Sequence, residues 1–239
     1  MDGEFAGRHV IVTGGTGALG SAVVDTLHAA GATIHLPVLG GLTAAAGGAT
    51  ARERIRLVPG VDLCDEAAVA ACYRALPSLW ASIHLAGGFA MAPIESTTLA
   101  DLRAQFDQNA VTCFLCCRAA VVAMRAGGGQ GGRIVNVAAR PALEPTGGML
   151  AYAVSKAAVA SMTKCLAEEV RRDGIFVNAV VPSIMDTPAN RQARPDADFA
   201  RWPKPSDVAA AILFLASPQN RVTSGALVPV YGRSQEEPA

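Results

Sequence analysis

Short apolar runs rich in Val and Ile alternate along the chain with longer Ala-rich stretches. The short runs are apolar almost throughout, the pattern of strands covered on both faces. They predict strands over residues 9–13, 33–38, 55–61, 82–85, 133–137, 175–181 and 226–230. Between them the pattern predicts helices over 18–30, 67–75, 99–124, 149–172 and 206–216. Such alternation implies repeated βαβ units, hence an α/β doubly wound fold: a mostly parallel seven-stranded sheet with helices on both faces. No repeat or linker divides the chain, so residues 1–232 read as one domain, followed by a polar tail over 233–239. Glycine-rich stretches over 40–50 and 127–132 fall where connections are expected. Residues 183–205 form the one long irregular stretch, with prolines at 188, 195, 203 and 205, and its length between a strand and a helix suggests a lid over a substrate.

Composition narrows the function. Of 239 residues, 51% are hydrophobic and 17% charged, and 20 basic residues balance 20 acidic ones. That balance leaves no electrostatic footprint for nucleic acid or an anionic membrane. Residues 1–8 carry Asp2 and Glu4 without the apolar run of a signal peptide, and the wholly apolar runs fall well short of the roughly 20 residues that span a bilayer. A cytoplasmic protein with reduced thiols is expected, and the irregular cysteine positions (64, 72, 113, 116, 117 and 165) agree. The run from Cys113 through Cys116 to Cys117 contains a CxxC, but it lies mid-helix with no second Cys/His pair at zinc spacing, so core packing is expected. Histidines 9, 28, 35 and 84 are scattered; His84, ending the fourth strand, reads as a structural residue that could line a pocket.

Chemistry concentrates at strand ends. Thr13-Gly14-Gly15-Thr16-Gly17-Ala18-Leu19-Gly20 follows the first strand and opens the first helix. Small residues there let the backbone turn sharply and let a pyrophosphate approach the free N–H groups of the helix start, a Rossmann-like arrangement. Asp62, followed by Leu63, closes the third strand, where it can accept a hydrogen bond from an adenine amino group or cap the next helix. Ala86-Gly87-Gly88 closes the fourth strand with residues small enough for a ribose to lie close. Tyr152 and Lys156 stand one helical turn apart on one face. A lysine cation beside a phenol lowers its pKa and suits the tyrosine to acid–base work.

The glycine loop, Asp62, Ala86-Gly87-Gly88, Asn109 and the Tyr152/Lys156 pair, in this order and spacing, resemble the short-chain dehydrogenase/reductase family over nearly the whole chain. The resemblance implies NAD(P)-dependent hydride transfer on a small-molecule substrate. Tyr152 would be the acid/base, Lys156 would bind the nicotinamide ribose and depress the tyrosine pKa, and Asn109 would hold a proton-relay water. Pro182 and Thr187 would lie at the nicotinamide, with Thr187 touching its carboxamide. The family also implies a homodimer or homotetramer in which the two long helices pair across a two-fold axis.

Three positions depart from that pattern. Ala139 stands thirteen residues before the tyrosine, where the family places a serine, Ala18 replaces a glycine of the loop, and Ser183 replaces the glycine after Pro182. Together with Phe89 after the Ala-Gly-Gly turn, the run 186–191 and the segment 195–202, they resemble the dihydropteridine reductase branch. There the substrate is a conjugated C=N system with no single carbonyl oxygen to polarise. The expectation is therefore reduction of a quinonoid, pterin-like substrate by NADH or NADPH, with Phe89 and Thr146 near it. The alternatives are a carbonyl or 3-oxoacyl reductase in which Thr146 or a water replaces the serine, and a catalytically silent dinucleotide-binding sensor. Strand two ends in His35-Leu36-Pro37-Val38-Leu39-Gly40, with neither a carboxylate to favour NAD(H) nor an arginine to favour NADP(H), so the coenzyme preference stays open.

Overall fold

The computed structural model describes residues 3–40 and 52–233; most of the glycine-rich stretch 40–50 and all but the first residue of the expected tail lie outside the described residues. Seven parallel strands, β1 (His9–Thr13), β2 (Thr33–Val38), β3 (Ile55–Pro59), β4 (Ala81–His84), β5 (Gly132–Val137), β6 (Ile175–Pro182) and β7 (Leu227–Val230), form one sheet in the order β3-β2-β1-β4-β5-β6-β7. Every pairing is parallel, so the sheet is not merely mostly so. The described helices are α1 (Ala18–Ala29), α2 (Glu66–Arg74), α3 (Leu99–Phe106), α4 (Thr112–Ala126), α5 (Leu150–Glu169), α6 (Pro188–Ala193) and α7 (Pro205–Ala216).

The unbroken apolarity of the strands has a direct cause. On β1, Val10 and Val12 pack under α1 and α7 with Leu27, Ile34, Ile83 and Ile212, whereas Ile11 points the other way to join Tyr73, Cys116, Ile134, Val159 and Val177. Both faces are core, and each fully buried aliphatic side chain stabilises the fold by about 1.5–3 kcal/mol. Local chemistry sets the ends. Gly60, at φ +74°, turns the chain, so β3 ends at Pro59, two residues before its expected end. Asp65, not Asp62, caps α2: its carboxylate accepts from the N–H groups of Ala67 (2.8 Å) and Ala68 (3.1 Å). Thr98 and Asp101 form a capping box at the start of α3.

The helix expected over 99–124 is not uniform. Between α3 and α4 the residues Asp107–Val111 form a π-helical turn, which inserts extra chain without breaking the rod. The rod Leu99–Ala126 is long and apolar enough to cross a membrane by composition, yet 56% of its most apolar window is buried inside the fold. The stretch 183–205 is likewise more ordered than expected. Thr187 caps α6, a 3-10 turn spans Phe199–Arg201, Trp202 is buried, and the Asp186 N–H donates to Pro203 O at 2.9 Å, folding the segment back on itself.

Close approach fixes the loop between β1 and α1. A Cβ on Gly20 would lie 2.1 Å from Gly14 O and 2.6 Å from Gly15 Cα, so α1 can start against its own loop only without a side chain there. Gly14 has φ +66°, and a Cβ on it would lie 2.7 Å from Ala86 N on the turn after β4. Gly20→Ala is expected to cost about 1–3 kcal/mol in denaturant unfolding. Gly17→Ala, whose Cβ would meet only Gly14 O at 3.4 Å, is expected to cost less than half as much.

Candidate active site

The sheet order reverses between β1 and β4, and the crevice beyond their carboxyl ends is where an α/β sheet binds ligand. The glycine loop and the turn at 86–88 form its two lips, held together by the Ala86 N–H donating to Thr13 Oγ1 at 3.3 Å. At the start of α1 the N-cap is Gly17, no side chain caps the helix, and its first turn carries no acid. Thr16, Gly17 and Ala18 are exposed there, while Leu19 and Gly20 are buried beneath. The orphan N–H groups of that turn suit a dinucleotide pyrophosphate, so the loop fits the coenzyme that the sequence implies.

The catalytic candidates converge on Gly87. A Cβ at Gly87 would lie 2.5 Å from Asn109 Oδ1 and 3.3 Å from Lys156 Nζ. Asn109 stands in the π-helical turn and is buried. Its Oδ1 accepts from the Gly88 N–H at 3.2 Å. Its Nδ2 lies 3.0 Å from Gly88 O, 3.0 Å from Gln105 O and 3.2 Å from Ser155 Oγ, three acceptors for two protons. The Ser155 hydroxyl in turn donates to Tyr152 O at 2.7 Å. Asn109 thus joins the turn after β4 to the helix that carries the tyrosine and lysine. The sequence reading missed Ser155; its place inside the Tyr152–Lys156 turn was the available signal.

Lys156 is 7% exposed, and its Nζ donates to Val137 O at 2.9 Å, tying α5 to the end of β5. Burial lowers its pKa to about 8. Burial also pushes the Tyr152 phenol up to about 12. That direction is opposite to the expectation of a phenol depressed by the lysine: loss of hydration raises it, and the Lys156 ammonium is directed to the Val137 carbonyl. The Phe89 ring stands edge-on to the Tyr152 ring, centroids 4.9 Å apart and planes at 83°. Phe89 itself is 59% exposed. The loop that holds Thr146, half-buried, is fastened to the Phe89 loop through the Ala92 N–H donating to Gly148 O at 2.8 Å.

The remaining candidates sit around this centre. Asp62 is exposed and its carboxylate accepts from the Cys64 N–H at 2.8 Å, with half-buried Leu63 between them. Pro182 ends β6, and buried Thr187 accepts from the Asn190 N–H at 3.3 Å as the cap of α6. Ala139, at the serine position, is 4% exposed, so a buried methyl occupies the place where the family presents a hydroxyl. Arg191 in the 183–205 segment is held by Asp186 (2.5 and 2.8 Å), so its charge is already balanced. His84 is buried and hydrogen-bonded on both ring nitrogens, the structural role expected of it.

With this geometry in view, the chain belongs to the short chain dehydrogenase family: the family's profile matches residues 8–198. It is 32% identical over 254 residues to galactitol 2-dehydrogenase of Rhizobium johnstonii, covering 96% of this chain and 94% of that one. It is 30% identical over 243 residues to 2-dehydro-3-deoxy-L-rhamnonate dehydrogenase (NAD(+)) of a Sphingomonas species, with 96% of each chain covered. A solved short-chain type dehydrogenase/reductase from Mycobacterium ulcerans superposes with a TM-score of 0.88 at 25% identity, over 96% of this chain and 90% of that one. These similarities carry oxidoreductase activity on small molecules; they do not carry the dihydropteridine branch.

The folded-state pKa of Lys156 lies below its ordinary value of 10.5. Its protonated form therefore costs stability: nothing above about pH 10.5, more as the pH falls toward 8, and a constant amount below. Lys156→Met removes that cost. The variant's unfolding free energy, measured from pH 10.5 to 7.5, is expected to gain on the order of 3 kcal/mol relative to wild type as the pH falls. A constant difference across the range would contradict a buried ammonium.

Proposed function

We propose that the chain is an NAD(P)-dependent dehydrogenase/reductase that interconverts a hydroxyl and a carbonyl group, with Tyr152 moving the proton. The observation that carries this reading is the convergence of Lys156 Nζ and Asn109 Oδ1 on Gly87, on the turn of Tyr152. The 14–20 loop and the start of α1 would hold the coenzyme pyrophosphate, and Asp62 with Leu63 the adenine. Gly87, Gly88 and Lys156 would hold the nicotinamide ribose, and Pro182 with Thr187 the carboxamide end. When bound, the coenzyme supplies or accepts the hydride. Tyr152 gives its phenolic proton to the developing alkoxide in reduction and takes it back in oxidation. Lys156 would act by holding the ribose, and Asn109 with Ser155 fixes the turn of α5 on which it and Tyr152 ride.

A second reading, reduction of a conjugated C=N or quinonoid, pterin-like substrate, draws on Ala139: a methyl there suits a substrate with no carbonyl oxygen to hold. The names of the two relatives favour the first reading, because both are dehydrogenases of hydroxylated carbon chains. One assay series separates the two. Polyols, hydroxy acids and diols are offered with NAD+ or NADP+, and freshly generated quinonoid dihydropterin with NADH or NADPH; the better coenzyme in each arm gives the preference that β2 leaves open. Tyr152→Phe is expected to lower turnover on the true substrate by about 10²–10⁴-fold, with coenzyme binding kept. Ala139→Ser is expected to raise alcohol or ketone turnover and not pterin turnover. Coenzyme binding without turnover on any substrate, unchanged in Tyr152→Phe, would leave a dinucleotide-binding sensor.

The assembly is proposed on the same footing. Leu99, Phe106, Phe114 and Val122 on the 99–126 rod, and Leu150 and Val154 on α5, are all exposed in the single chain. A homodimer or homotetramer pairing these helices would cover them. Light scattering at micromolar concentration is expected to give two or four chains, and a single chain after Phe114→Glu.

A further inference from the structure

Behind the catalytic turn, four buried side chains from three elements point at one another: His84 on β4, Cys113 and Cys117 on α4, and Asn136 on β5. A ring nitrogen of His84 and the two sulfurs lie within 4.8 Å of one another. Cys117 Sγ is 3.6 Å from His84 Nδ1 and 3.5 Å from Asn136 Oδ1. Tetrahedral zinc, with Zn–S near 2.3 Å and Zn–N or Zn–O near 2.1 Å, places sulfur about 3.6 Å from a neighbouring nitrogen or oxygen ligand. The Nδ1–Oδ1 edge, at 2.8 Å, would open by about half an ångström.

The surroundings orient these donors. The Thr163 hydroxyl donates to Val159 O (2.8 Å), so it accepts from Asn136 Nδ2 (2.9 Å), and this turns Asn136 Oδ1 toward His84 and Cys117. On the far side of the imidazole, Ser82 Oγ (2.7 Å) and Tyr73 Oη (3.4 Å) face Nε2 and can accept its proton. Without metal, Nδ1 donates to Asn136 Oδ1 at 2.8 Å; moving that proton to Nε2, where Ser82 Oγ can accept it, frees the Nδ1 lone pair for a cation lying among Oδ1 and the two sulfurs. Outer hydrogen bonds of this kind are how metal-bound histidines are held.

Charge selects the cation. Two thiolates with a neutral imidazole and a neutral amide carry two negative charges, which cancel a divalent ion, the least costly state for a site without solvent. Soft sulfur ligands in a tetrahedral set select zinc among the common divalent ions. We propose that His84, Cys113, Cys117 and Asn136 form a structural zinc site. The metal would tie α4 to the ends of β4 and β5, immediately beneath the turn that positions Asn109 and Lys156. No zinc signature is visible along the chain because two of the four ligands come from strands far from α4 in sequence.

The test is the zinc content of the untagged protein purified from zinc-supplemented cells, in wild type and in a Cys64→Ser/Cys165→Ser background that removes the two exposed thiols. About one zinc per chain is expected in both, and less than a tenth of that in Cys117→Val or Cys113→Ala. Cobalt-loaded wild type should show the thiolate-to-cobalt charge-transfer absorption of a two-thiolate site, and Cys113→Ala should lose it. Because a core variant can fail to fold, melting is also compared with and without chelator. Wild type should lose several degrees on metal removal, and Cys117→Val none. Zinc-free wild type whose melting ignores both zinc and chelator would overturn the proposal and leave a hydrogen-bonded thiol cluster, as would zinc that persists in the cysteine variants.

Discussion

The pairing of β1 with β4 governs this structure. It places Thr13 opposite His84 in the sheet register and brings two connecting turns to the same crevice from opposite sides of the topological reversal. One turn offers uncapped N–H groups, the other small residues. Everything with chemical content is reached from that line: Asn109 clasps the second turn, Ser155 clasps Asn109, and α5 delivers Tyr152 and Lys156 above them. The apolar strands do the rest by refusing water on either face, so the crevice at their ends is a place where polar groups of the sheet can meet a ligand.

Burial sets the electrical character of the centre. Tyr152 and Lys156 are both drawn toward their neutral forms, the phenol upward and the ammonium downward. A site of this kind holds its proton on the tyrosine and draws its lysine toward the neutral amine. Tuning by hydration is the larger effect here, and spacing along the helix alone does not reveal it.

The fold was legible because periodicity reports burial: two-faced strands and Ala-rich helices fall close to where the pattern puts them. Ends were less legible. In the run Asp62-Leu63-Cys64-Asp65 either acid can precede a helix, and only the path of the chain after Gly60 decides that Asp65 reaches the N–H groups. Glycines, tyrosine and lysine were readable as a set because their spacing is local. Ser155, the roles of the Val137 carbonyl and Gln105, and the grouping of His84 with Cys113, Cys117 and Asn136 were not, since each depends on which strand lies beside which helix. The substrate side was least legible of all, because it is built from loops whose approach is set by packing and not by period.

The π-helical turn at Asp107–Val111 has a geometric effect beyond holding Asn109. In an α-helix each residue advances the azimuth by about 100°, so one surplus residue rotates everything after it by that angle relative to everything before. The 99–126 rod is therefore two helices out of phase by roughly a quarter-turn, sharing one axis. Its first half can aim at the crevice while its second half aims at the sheet, a division that a single continuous helix of the same composition could not make.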